Sequence, residues 1–571
     1  MNKRIVIFLL ISLLFVPVIF SADDPPPTET IGGTIQQKKQ FEKERNLEKK
    51  IKLPKKKTEE EGIQDLISED AGEKVLIKKI IVEGVTLLKK KEIDKIISQF
   101  KGKELSIKAM QRIADLITDE YRKKGFVTSR AYIPPQNIKK GSLTIRVVEG
   151  SLGNLEIKGN RYFKTSLLKR KLNLKQDRVF DYSALQRSLT NINEHPDRTA
   201  RAILVPGKEP GTTDVVLEVE DNFPFHIGFE FDNYGSRYIE KDRYTVFLEH
   251  NNLLGLDDKL FLQMQQSEYS YYELENGSYT LPINNTTDVG IYGLSSDTAL
   301  GREFEGISKG KAHVYGLFLN KSLIAKPDID LRLNLGFDHK DIKNYILGSL
   351  ADGSHDELSI FKGGFDLDLA DKWGRTIFTS EVDFGVPGFL GSMDAKDARS
   401  SRTGAGAKFV KGVFNLFRFQ PGPFSSYILW KNQAQISNYN LVASEQFQIG
   451  GPSSVRGYPA AEFAGDKGYY TSLEWSFPTY FLPKKLNVPF TKDVFRDALH
   501  MVLFYDWATI RNKQISYVGD KTSRTLKSAG FGFRLNLSNN LSARIEFGYP
   551  IGKKSSDGHN LQQWIEITSK F

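Results

Sequence analysis

From residue 222 to residue 571 apolar side chains recur at every second position, and that period leaves few folds open. Phe531, Phe533 and Leu535 alternate with Gly530, Gly532 and Arg534; Ala543, Ile545, Phe547 and Tyr549 alternate with Arg544, Glu546 and Gly548. A period of two means a strand with one apolar and one polar face. About 16 such strands can be drawn through the region, about 22 residues for each strand with its connection, and a membrane-crossing strand needs only about 9 to 11. The spacing predicts an all-β membrane barrel of about 16 antiparallel strands, apolar toward lipid and polar toward a lumen. Soluble sandwiches and propellers alternate as well, but no blade-like repeat is present here. With 12% aromatic residues and a mean hydropathy of -0.37, the chain is rich in rings and poor in the long apolar runs of helical membrane proteins.

The one long apolar run opens the chain. Residues 1–22 carry Lys3 and Arg4, an apolar core from Ile5 to Phe20, and small Ser21 and Ala22, the pattern of a secretory signal peptide. Residues 23–73 read as an N-terminal plug helix and linker. IQQKKQFEKERNLEKKIK (35–52) is rich in helix formers with Glu42 near Arg45 and Glu48 near Lys52, has almost no apolar face, and stops before Pro54. A helix polar all round suits either a hydrated channel or a solvated arm.

Between these regions the texture is mixed. LIKKIIVEG (76–84) reads as a strand, two helical stretches follow, and FVTSRAYIP (126–134) and SLTIRVVEG (142–150) read as two more strands. The order repeats from LGNLEIKGN (152–160) to TARAILVPG (199–207) and TDVVLEVED (213–221), so 74–150 and 151–221 are expected to be two small α+β domains in series. The pattern resembles polypeptide-transport-associated (POTRA) domains, most specifically in Gly159-Asn160 and in LVPGKEPGTTDVVLEV (204–219). An open sheet edge in each module would accept an extended peptide by backbone hydrogen bonds; the plainer reading is a pair of spacers.

Within the barrel region, GGPSSVRGY (450–458) interrupts the strands with a Gly-Gly-Pro break and an arginine between Val455 and Gly457. Signal, polar helix, two POTRA-like modules, barrel and a VRGY motif together resemble the outer-membrane transporters of two-partner secretion, the TpsB-type ShlB/FhaC/HecB family. The resemblance covers essentially the whole mature chain. It implies that the loop of about 441–466, after the eleventh strand, folds into the lumen with Val455, Arg456, Gly457 and Tyr458 as its transport motif. It also implies that Arg456 meets an aspartate in a wall motif of Phe, Asp and Gly at alternate positions. Here that wall strand is HMVLFYDWATI (500–510), with Phe504 and Asp506 in place and Ala508 where the family has glycine. Alternation turns Asp506 toward the lumen, where an arginine on a Gly-flanked loop can grip both carboxylate oxygens. The alternatives are a hydrated aspartate and an exposed surface turn. In LQQWIEITSKF (561–571), Ile565, Ile567 and Phe571 share the lipid face, and Phe571 looks like the signal read by the barrel-assembly machinery.

The sequence carries no pattern of catalysis. Its eight histidines are scattered, and HExxH, GxSxG and phosphate-binding glycine loops are missing. Without cysteine there are no thiolate metal sites. The charge of +10 is spread along the chain and supports no nucleic-acid partner. The expectation is a transporter, not an enzyme, with no cofactor and no metal. It would sit in the outer membrane of a Gram-negative bacterium, in contact with outer-membrane lipids, its N-terminal domains in the periplasm. Its partner would be a secreted exoprotein of adhesin or cytolysin type. A POTRA-barrel insertase is the alternative, and a diffusion porin is a third class that needs neither the modules nor the VRGY loop.

Overall fold

The computed structural model describes residues 74–571 apart from 139–140, 175–178, 210, 327, 484, 490, 492, 515–521 and 538–540. The signal segment and the polar helix lie outside the described residues.

The first α+β module has a three-stranded sheet in the order Lys79–Glu83, Ser142–Val148, Arg130–Tyr132, the first pair parallel and the second antiparallel. Helices Lys90–Ile97 and Ile107–Lys123 pack on it around Ile80, Ile113, Ile117, Leu143 and Ile145. The longer helix starts where Ser106 Oγ accepts the Ala109 N–H at 3.1 Å, a side-chain cap for an otherwise orphan donor. The opening strand is broken at Lys78, and its first part, Val75–Ile77, pairs instead with an extra strand, Lys103–Leu105. Periodicity alone reads both parts as one strand.

The second module repeats the plan with Ser151–Lys158, Thr212–Asp221 and Arg198–Pro206, Thr212–Asp221 in the centre. The two copies share a device at the end of the opening strand. Gly84 and Gly159 have φ of 81° and 85°, and a Cβ on either would lie 2.3 Å from a carbonyl oxygen, of Val147 or of Val219. Just beyond, Glu149 accepts the N–H groups of Thr86 and Leu87, and Asp221 those of Arg161, Tyr162 and Phe163.

From Phe225–Asp232 to Gln562–Lys570 sixteen strands close an antiparallel barrel, sealed where Gly228 to Asp232 pairs with Glu566 to Lys570. Its burial is inverted relative to a soluble protein. Leu262, Met264, Tyr315, Leu317, Phe361, Leu473 and Trp475 are exposed, while Gln265, Asp338, Lys431, Gln433, Glu474, Asp506 and Glu546 are buried. Lipid solvates the outer set, and the barrel interior covers the inner one. Ser308–Ala325, Ile329–Ile346 and Ser349–Asp371 run 18, 18 and 23 residues, well beyond the ~9–11 needed to cross, so these strands cross the bilayer and continue past its extracellular side.

Candidate functional site

The connection between the eleventh strand, Tyr427–Ser437, and the twelfth, Lys467–Pro478, folds back inside the barrel. Its legs pair as a short hairpin, Phe447–Ile449 against Phe463–Gly465. At the tip, Gly451 N–H donates to the Tyr458 carbonyl at 3.0 Å and Tyr458 N–H to the Val455 carbonyl at 3.2 Å. This tight turn seats Val455 and Tyr458 in an apolar cluster with Tyr470, Ala508, Ile510 and Leu526. Gly457 lies flat on the wall: a Cβ there would come within 2.7 Å of Pro550 N, Ser528 Cβ and Tyr549 C. Its missing side chain lets the Arg456 backbone reach the barrel, where Trp564 Nε1 donates to the Arg456 carbonyl at 2.8 Å.

All five guanidinium donors of Arg456 are used. Nε and Nη2 hold the two oxygens of Asp506 at 3.0 and 2.7 Å, and Nη2 also reaches Ser472 Oγ at 3.1 Å. Nη1 lies 2.8 Å from Glu474 and 3.2 Å from Glu546. The guanidinium carbon stands 3.4 Å from the centre of the Phe504 ring, a cation–π contact. Asp506 is saturated as well, accepting from the Arg456 N–H and the hydroxyls of Ser472 and Ser528.

Sequence reasoning singled out Arg456, Phe504 and Asp506, and the structure brings the three together. It adds residues that the reasoning missed. Arg534 bonds Glu474 at 2.8 Å and Glu546 at 2.5 Å, and Lys431 lies 3.1 Å from Glu474. The cluster therefore sets Arg456, Arg534 and Lys431 against Asp506, Glu474 and Glu546, all buried. Their common signal was parity: each strand member sits on a lumen-facing position. Ala508, at the place of the family's glycine, is fully buried with its methyl against the loop's apolar cluster.

Further out, both legs of the loop are tied. Glu445 is buried between Lys340 and Lys411, with Lys411 Nζ at 2.5 Å and also 3.4 Å from Asp383. Asp466 accepts from Arg402 Nη1 at 2.6 Å and from the backbone of Leu441 and Lys513. Arg402 belongs to the long connection 386–408 between the ninth and tenth strands.

At the periplasmic mouth a cavity of about 460 Å³ opens between the second module and the barrel, lined by Lys171, Asp288, Arg332 and Asp366 among others. Beside it Arg198 holds both oxygens of Asp257, on the turn after the second strand, at 2.6 Å each, and Lys171 adds a contact at 2.7 Å. Burial alone would raise the Asp257 carboxyl, but these two cations bring it down to about 2. His195 Nδ1 accepts the Asp197 N–H, so Nε2 carries the proton and donates to the Asn251 carbonyl at 2.8 Å. Burial lowers this imidazole to about 4 and keeps it neutral. On the outer face, Phe571 exchanges backbone hydrogen bonds with Ile227 and leaves its ring 66% exposed.

These charged groups are saturated by one another, an arrangement that fixes a loop rather than one poised for proton transfer. The profile described as haemolysin secretion/activation protein ShlB/FhaC/HecB matches residues 211–497, about half of the chain, and a ShlB-type POTRA domain profile matches 75–150. The chain belongs to the ShlB/FhaC/HecB family. Among curated relatives of this ShlB/FhaC/HecB protein, the heme/hemopexin transporter protein HuxB of Haemophilus influenzae is 23% identical over 84% of each chain. The outer membrane transporter CdiB of Escherichia coli is 26% identical over 71% of this chain and 70% of its own. The hemolysin transporter protein HpmB of Proteus mirabilis is 21% identical over 70% and 72%. Among solved structures, Escherichia coli CdiB superposes with a TM-score of 0.74 at 22% identity, over 96% of this chain and 100% of its own. BamA of Haemophilus ducreyi lacking POTRA domains 1–3 gives 0.52 at 16% identity, over 87% and 100%, a likeness of fold. This ShlB/FhaC/HecB protein is thus an outer-membrane translocator of two-partner secretion. Its POTRA modules lie in the periplasm and its client is a secreted exoprotein.

Proposed function

We propose that the exoprotein, of adhesin or cytolysin type, is captured as an extended segment along Arg198–Pro206 and passed through the mouth cavity into a lumen shaped by the pinned VRGY loop. The carrying observation is that edge strand. Arg198–Pro206 pairs with one strand, Thr212–Asp221; on its other side the Asn193 amide holds the backbone of Ala200, and the stretch beyond it presents Ile203 and Val205, 41% and 37% exposed, along an edge that no strand covers among the described residues. An incoming strand gains ladder hydrogen bonds without requiring particular side chains and buries those two apolar groups. Arg456 with Asp506 then sets the depth of the loop in the channel, Val455, Gly457 and Tyr458 seat it, and Phe504 backs the guanidinium. Phe571 serves as the recognition point for the barrel-assembly machinery, a role suited to an exposed ring beside the seam.

Proline scanning tests the capture step. In Arg198–Pro206, proline at residues whose N–H faces the open edge should lower exoprotein secretion while heat-modifiable migration shows an intact barrel, because it deletes a donor the client needs. Secretion unchanged by every edge-facing proline would reject capture at this edge.

A further inference from the structure

The connection 386–408 leaves the ninth strand, Gly374–Gly385, and does something the transport reading does not use. Before returning over the rim to grip the inward loop, it lays a short flap on the outside of the barrel wall. Phe389–Gly391 form one 3-10 turn between Gly388 and Ser392. The Phe389 ring packs on two lipid-facing rings, 5.7 Å from Phe337 and 5.6 Å from Phe361, which are themselves 5.0 Å apart. The Phe389 carbonyl accepts the hydroxyl of outward-facing Ser359 at 2.8 Å, and Ser359 is thereby wholly buried. The flap covers a polar spot on the wall and puts apolar surface in its place, with Phe389 42% and Leu390 63% exposed.

Its position identifies what covers it. Phe337 pairs across the sheet with Leu317, 55% exposed, and Phe361 with Phe384, 47% exposed. The flap thus continues the apolar belt of the barrel upward on its extracellular side. In water Phe389 and Leu390 would form an uncompensated apolar patch; against acyl chains they add buried area. The same connection carries Ser401, whose N–H and hydroxyl donate to Asp356 and whose Oγ accepts the Ala443 N–H, and Arg402, which holds Asp466.

We propose that Phe389 and Leu390 are an outer-leaflet anchor seated among lipid acyl chains. It fixes the 386–408 connection to the membrane and, through Ser401 and Arg402, ties the base of the inward loop to the lipid surface.

The chain has no cysteine, so single substitutions give unique labelling sites. Leu390→Cys carrying an environment-sensitive nitrobenzoxadiazole probe is compared with Leu317→Cys on the lipid face and Leu347→Cys on the turn between the seventh and eighth strands, where the native side chain is 76% exposed. The full-length proteins are reconstituted in phosphatidylcholine vesicles, with and without phosphatidylcholine spin-labelled near the headgroup end of its acyl chain. Emission at 390 should be lost to the spin-labelled lipid as at 317 and should resist iodide. Quenching by iodide as at 347, with little loss to the lipid label, would overturn the anchor. Leu390 is exposed and is not one of the charged cluster's residues, and heat-modifiable migration verifies folding of each variant.

Discussion

Arg456 and Arg198 each hold an aspartate by both oxygens, and their surroundings make opposite devices of the same pair. Arg456 meets Asp506 inside the barrel, within a cluster of three buried cations and three buried carboxylates and with every donor occupied. Arg198 meets Asp257 at the junction of module and barrel, with Lys171 and a neutral histidine beside it. In the first case the six charges are buried together, and the two-pronged grip of Arg456 on Asp506 fixes the depth at which the loop tip is locked. In the second, separate pairs spread over the junction carry the docking, Asp197 with His226 and Asn251 among them, and His195 beside them titrates within an accessible pH range. A channel that must keep its internal shape needs the first device, and a module that feeds it is better served by the second.

The largest effect should come from the inner cluster. Arg456→Ala leaves Asp506, Glu474 and Glu546 with Arg534, Lys431 and the more distant Arg544, at a cost of about 3–5 kcal/mol for a broken buried pair. Exoprotein secretion at matched outer-membrane levels should collapse. Arg456→Lys should rescue only in part, because an ammonium cannot span Asp506, Glu474 and Glu546 as a planar fork does. Asp506→Ala should resemble Arg456→Ala, and the double variant should be little worse than either single. Strict additivity, or normal secretion by Arg456→Ala, would mean that the tip is not held by this pair. Gly457→Ala attacks the same site by volume: its methyl has no room on the wall, so about 1–3 kcal/mol of overpacking and a partial secretion defect are expected.

The rim should respond more mildly and without disturbing the barrel. Arg198→Ala leaves Asp257 with Lys171 as its one cation and also removes the Nε bond to the Ile192 carbonyl within the module, a loss of about 1–3 kcal/mol felt at the junction and in the module. Faster proteolysis at residues 222–224, between module and first strand, with unchanged heat-modifiable migration, is the expected result. pH should act in the same direction. His195 is held neutral with its pKa lowered to about 4, so its contribution is fully present above the ordinary value of 6.5 and fades as pH falls toward 4. Asp257, lowered to about 2, contributes above its ordinary 3.8 and fails only as pH drops below that. Protease access at 222–224 should therefore rise between about pH 6.5 and 4, and a Tyr or Phe at 195 should remove the rise. A junction indifferent to pH in that window would contradict the contrast between the two sites.

The two regions also differ in how much the sequence could tell. Alternation fixes which residues of a strand face inward, and that was enough to place Asp506 in the lumen and to draw sixteen strands. Alternation does not say which inward residues meet, because that depends on barrel closure and on the stagger between strands. Arg534 and Glu546 sit on neighbouring strands, but Glu474 lies two strands away from Arg534 and Arg456 lies on a loop, and only the curved wall gathers them. Glu546 and Arg534 were legible as polar-face residues, not as partners. The rim is less legible still. His195, Arg198 and Asp257 have no period and no motif, and their meeting follows from how the second module abuts the turn after the second strand. The break at Lys78 escaped for a different reason: Lys78 and Lys79 in an apolar run still read as one strand while the chain changes partners.

The smallest effect is the most discriminating for the seat of the loop. Ala508 stands where the family's wall motif has glycine, and it is wholly buried against the cluster that holds Val455 and Tyr458. If the loop needed a bare backbone at this point, Ala508→Gly would tighten the contact and favour the pinned state. The packing argues the reverse. Removing the methyl withdraws about 0.8 kcal/mol of buried apolar group and leaves a small void beside Tyr458. Glycine in a strand adds a further entropic cost of about 0.5–1 kcal/mol. Ala508→Gly should therefore lower the temperature at which the folded band converts to the unfolded one, by a few degrees at most, with secretion unchanged because the six charges are untouched. A higher conversion temperature would show that the alanine strains the seat. A secretion defect would show that the apolar cluster, and not the ionic one, sets the loop's working position.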